Sequence, residues 1–119
     1  MTDYVRVLKN NDSITVCFYI EEDKIIDIGE KINEINENAY MNGYNWEAFF
    51  NFYLSEYAPD VMENMESDPE AGMYVAYYDS SSENEIRANK FLEIICSLIE
   101  NPENLFDIIR KYGDEIDWD

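Results

Sequence analysis

Two stretches near the start of the chain, Tyr4 to Leu8 and Ser13 to Ile20, are rich in β-branched and aromatic residues with a period of two. That period puts successive side chains on opposite faces, so each stretch predicts a strand. Lys9-Asn10-Asn11-Asp12 between them is a turn sequence, and the strands are expected to pair as a hairpin. Along the second strand Ile14, Val16, Phe18 and Ile20 make the better core face, and Thr15, Cys17 and Tyr19 make the other.

After Glu21-Glu22-Asp23 the period lengthens. Ile25, Ile28, Ile32 and Ile35 recur at spacings of three, four and three, the stripe of a helix over about Asp23 to Asn36. Asn42-Gly43 is a turn dipeptide, and Asn45 is the expected N-cap of the next helix. That helix carries Trp46, Phe49, Phe50, Tyr53, Leu54 and Tyr57 and ends before Pro59, because the residue ahead of proline resists the α region. Asp60 to Met65 add a short helical turn. Asp68 to Gly72 form a loop before a third strand, Met73 to Tyr78. Ser82 and Glu85 have capping-box spacing for a helix to about Glu100, burying Ile86, Phe91, Ile94, Ile95, Leu98 and Ile99. Asn101 and Pro102 open a last helix, with Leu105, Phe106, Ile109 and Tyr112 inside and Gly113 as its stop. An acidic tail follows, anchored by Ile116 and Trp118.

The order β-β-α-α-β-α-α predicts an α+β fold: a small, mainly antiparallel three-stranded sheet packed on one face by about four helices, its second face partly open. No linker interrupts the chain, so residues 1–119 read as one domain.

Charge narrows the function. The 119 residues hold 27 acids and 8 bases, a net charge of −19. Such a field repels nucleic acid and anionic membranes and speeds association with a basic protein. There is no histidine, which removes the usual general base, the triad relay and most zinc sites. Four scattered glycines make no phosphate cradle. The acids match no calcium-loop spacing, and Asp114, Asp117 and Asp119 read as a solvated end. Cys17 and Cys96 lie in apolar runs and read as buried thiols of a reducing cytoplasm. The expectation is a non-catalytic, cytoplasmic protein without cofactor or metal, monomeric by default. A carboxylate-only enzyme is the remaining catalytic alternative. A small-molecule or carbohydrate-binding module, using some of the ten tyrosines and two tryptophans, is the main non-catalytic one.

Two segments are distinctive: Asn42-Gly43-Tyr44-Asn45-Trp46-Glu47, and Ser67-Asp68-Pro69-Glu70-Ala71-Gly72-Met73-Tyr74. Read physically, both are junctions. Asn-Gly turns, Trp46 enters the core, Asp68 caps the loop, and Gly72 supplies a positive φ. Together they resemble the Immunity protein 51 family of bacterial polymorphic toxin systems, over most of the chain. Asn45 stands where that family more often has aspartate, and Met41 where it more often has glycine. The resemblance implies an antitoxin-like protein that binds and neutralises a cognate toxin.

Interfaces favour tyrosine as a rigid anchor, and a rim of acids would meet a basic toxin surface. Tyr19, Tyr74 and Tyr78 are assigned to the open sheet face, rimmed by Glu21, Glu22 and Asp79, and Asp117 and Trp118 in the tail form a second candidate.

Overall fold

A computed structural model describes residues 3–119; residues 1–2 of the single domain read from sequence lie outside the described residues. The hairpin forms as expected. Strand β1 (Val5–Lys9) pairs antiparallel with β2 (Ser13–Phe18). Its turn is held by Asn10, whose side-chain oxygen accepts from the N–H groups of Asp12 and Ser13, each at 2.8 Å. Helix α1 (Asp23–Ile35) follows and buries Ile25, Ile28 and Ile32 as one stripe.

Helix α2 (Gly43–Tyr57) is capped by Asn42 rather than by the expected Asn45: the Asn42 side chain accepts from the Asn45 N–H at 3.0 Å. Asn45 lies one turn inside the helix and is buried. A four-residue helix, α3 (Pro59–Met62), leads to β3 (Glu66–Ser67) and β4 (Tyr74–Asp79). The sheet is antiparallel throughout, in the order β1-β2-β4-β3. It therefore has four strands, one more than the sequence suggested. The extra strand is two polar residues long, too short to show alternation, and exists through its pairing with β4.

Helix α4 (Ser82–Glu100) is capped by Ser81, one residue ahead of the expected Ser82, through a 3.0 Å bond from the Asn84 N–H. Its buried positions run Asn84, Ala88, Phe91, Ile95, Leu98 and Ile99. Ile86 falls on the opposite side of that stripe and is 69% exposed, contrary to its expected burial. Helix α5 (Pro102–Tyr112) has Pro102 at its first turn. Asn101 does not cap it by side chain; its amide instead donates to the Ser97 carbonyl at the end of α4. Gly113 is the C-cap that stops α5, as expected; it keeps a right-handed conformation and leads into a 3-10 turn (Gly113–Glu115).

Helices α2 and α4 cover one face of the sheet. Phe18 of β2 meets Trp46 edge-on at 5.0 Å between ring centres, and Tyr74 of β4 meets Phe50 and Phe91 at 5.0 and 6.1 Å. Trp46, Phe49 and Phe50 also pack on one another. This aromatic layer is continuous with a core that includes Tyr4 and Ile116. No described helix is long and apolar enough to cross a membrane.

Candidate partner-binding surfaces

The register of the sheet decides which tyrosines can meet a partner. Ile14 pairs with Tyr78, Val16 with Ala76 and Phe18 with Tyr74, so these six residues share one face. It is the face under the helices. Tyr74 is 0% and Tyr78 1% exposed, and neither belongs to the open face to which they were assigned. The misassignment comes from treating the hydroxyl as a mark of the wet side. A buried tyrosine is stable when its hydroxyl has a partner. Tyr78 has one, donating to the Val61 carbonyl at 2.8 Å. Tyr74 has none among the described residues. Burial raises the pKa of both phenols well above the usual range.

The opposite face carries Arg6, Leu8, Thr15, Cys17, Val75 and Tyr77, with Leu8 and Tyr77 open to solvent. Tyr19 continues it just beyond β2, its ring 5.8 Å from the Arg6 guanidinium carbon. Glu66, paired across the ladder with Tyr77, raises the pKa of that phenol, helped by partial burial. Cys17 is buried despite facing this way, and desolvation pushes its thiol up. Asp79 is exposed at the far end of β4, opposite Ser13.

A second surface is built where the two distinctive segments meet. Glu70 and Met73 exchange backbone hydrogen bonds around Ala71-Gly72, forming a hairpin turn. No glycine in the described residues has a positive φ, so Gly72 does not supply the one expected of it. A Cβ on it would lie 3.0 Å from the Glu21 carboxylate. The Gly43 N–H donates to the Ala71 carbonyl at 3.1 Å, joining the start of α2 to this turn. Asp68 is exposed, and its backbone N–H, not its side chain, makes the bond to Val75, so the capping role expected for its carboxylate is absent. The junction, α1 and the α1–α2 connection enclose a groove of about 350 Å³. Glu21 lies on it, while Glu22 sits at the N-cap position of α1 without a side-chain cap bond.

The third surface is a cleft of about 620 Å³ between the outer side of α2 and the tail. Glu47, Glu56, Glu115, Asp117 and Asp119 line it with Tyr44 and Trp118. Trp118 anchors the tail, as its apolar character predicts. It is half-buried against the core, and its indole N–H donates to the Gly113 carbonyl at 2.8 Å. The Asp119 N–H donates to the buried Asn45 side chain at 2.6 Å, tying the tail to α2. The residues selected from sequence are thus not one patch. Tyr19 and Asp79 lie at the two ends of the open sheet face, Glu21 in the groove, Asp117 and Trp118 in the cleft, and Tyr74 and Tyr78 in the core. The groove was missed because its members are far apart in sequence. Its one local signal was exposed Tyr40 between two helices.

The two segments that converge on Gly43 lie within one continuous match. A family model described as Immunity protein 51 covers residues 5–114 of the 119. The chain belongs to the Immunity protein 51 family. The Immunity protein 51 match takes in all four strands and all five helices, and ends before Asp117 and Trp118. Neither a curated protein nor a solved structure matches the chain. Membership makes this an immunity protein, for which the partner is a toxin.

Proposed function

We propose that this chain, as a single monomeric cytoplasmic domain, neutralises one cognate bacterial toxin by binding it and occluding its active site. The observation that carries the reading is the family match over residues 5–114. The net charge of −19 supports a basic toxin surface, as a nuclease domain would present over its substrate cleft. Occlusion asks no chemistry of the inhibitor, and it suits a chain without histidine. The alternative, a carbohydrate or small-molecule module, asks for a deep aromatic pocket. Here the largest rings, Trp46, Phe49, Phe50, Tyr74 and Phe91, pack against each other under the sheet.

The test is co-expression with the product of the gene immediately upstream of this chain's own, taken as the candidate toxin. Growth arrested by the toxin is expected to resume when this chain is present. Association of the purified pair, followed by stopped flow, is expected to slow steeply as salt shortens the Debye length from about 10 Å at 0.1 M. No rescue of growth would sink the immunity reading for that toxin, and a flat salt dependence would sink the basic-surface part of it.

A further inference from the structure

The groove has a more apolar lining than the acidic cleft, and it joins exposed apolar groups to carboxylates that no cation of the chain answers. Tyr40 is 72% exposed and Ile26 43%. With Met41 and Ile20 they make an apolar lining between α1 and the Ala71-Gly72 turn. Glu21 stands on one side and Glu30 on the other, both exposed. Neither carboxylate has a hydrogen-bond or ion-pair partner among the described residues, whereas five of the eight cations are engaged in ion pairs elsewhere. No cation lines the groove.

The walls are rigidly placed. A Cβ on Gly29 would come 3.2 Å from the Met41 Cβ, so α1 and the connection to α2 are in close contact. Gly43 and Gly72 bring the turn onto the start of α2 and under Glu21. A preformed recess costs little ordering when it is filled.

We propose that this groove is the toxin-docking site and that its occupant is a lysine or arginine side chain on the toxin. Such a side chain has an apolar stem and a cationic head. The stem matches Ile26, Met41 and the Tyr40 ring, and the head matches Glu21 and Glu30. The exposed face of Tyr40 adds a cation–π partner. This inference rests on the immunity reading and adds the site and the group it captures.

The test measures the affinity of the purified chain for the upstream-encoded toxin domain, by calorimetry, with three variants. Tyr40→Ala and the pair Glu21→Gln/Glu30→Gln are each expected to weaken binding at least about tenfold. Tyr40→Phe keeps the ring and is expected to bind as the unsubstituted chain does. The glutamine pair should also lower the salt dependence, which loss of apolar contact alone would not do. These side chains are exposed and free of hydrogen bonds, so the thermal midpoint should hold in all three. Tyr77→Ala, on the open sheet face, serves as the control that should bind normally. Unchanged affinity in Tyr40→Ala and in the glutamine pair overturns the groove while leaving the immunity reading intact. No binding by the unsubstituted chain overturns both.

Discussion

Gly43 sits against the carbonyl oxygen of Glu70: a Cβ added to it would lie 1.8 Å from that oxygen and 2.4 Å from the carbonyl oxygen of Met73. Both obstacles are backbone, so neither can rotate away. Gly43→Ala should therefore open the junction between α2 and the turn before β4. Overpacking of a rigid site costs about 1–3 kcal/mol, and this contact places it at the upper end. Gly72→Ala meets only the end of the Glu21 side chain, which can move, and should cost much less. Urea denaturation of the two variants checks this. A lowered midpoint for Gly43→Ala with an unchanged slope is the expected result.

The two buried tyrosines of β4 predict opposite outcomes for the same substitution. Tyr78→Phe removes the bond to the Val61 carbonyl and leaves that oxygen without its donor. It should cost about 1 kcal/mol. Tyr74→Phe removes a hydroxyl without a described partner and should be neutral or stabilising. Thermal melts of both variants decide it. Equal destabilisation would mean that the Tyr74 hydroxyl is satisfied in solution, as by a buried water.

Much of this fold was legible because its hydrophobic periods are clean. The Ile25-Ile28-Ile32 stripe and the Ile14-Val16-Phe18 alternation each have one reading, and both lie in the core. Strand β4 was found, but its faces were exchanged. Met73, Val75 and Tyr77 are as apolar as Tyr74, Ala76 and Tyr78, and only pairing with Ile14, Val16 and Phe18 picks the inner set. β3 depends wholly on its partner. The choice of Asn45 over Asn42 as cap failed because both are good caps, and the deciding fact is that Asn45 is needed inside, donating to the Tyr40 carbonyl at 2.7 Å. The candidate site was the least legible part. Its groove joins residues 20–21, 26–33, 40–42 and 71–72, which no local pattern connects.

Acid should weaken one tether between the sheet and the helices. The Glu100 carboxylate accepts from the Lys24 ammonium at 2.8 Å and from the Tyr4 hydroxyl at 2.6 Å. These bonds, that of Lys24 first, hold its pKa below the ordinary glutamate range. A depressed folded pKa contributes stability that is present above the unfolded value and lost as pH falls through the folded one. Glu100→Gln should therefore lower the thermal midpoint at pH 7, and its gap from the unsubstituted chain should close below the glutamate range. A gap of the same size at both ends would show that the carboxylate's charge contributes nothing.

The central claim, neutralisation by occlusion, is tested most directly by titrating the upstream-encoded toxin with this chain and assaying the toxin's own activity. The account predicts that activity falls linearly and reaches zero at one equivalent, with the toxin recovered intact when the complex is dissociated. A toxin that stays active while fully bound would contradict occlusion. One that remains inactive after the chain is removed would contradict a purely non-catalytic inhibitor.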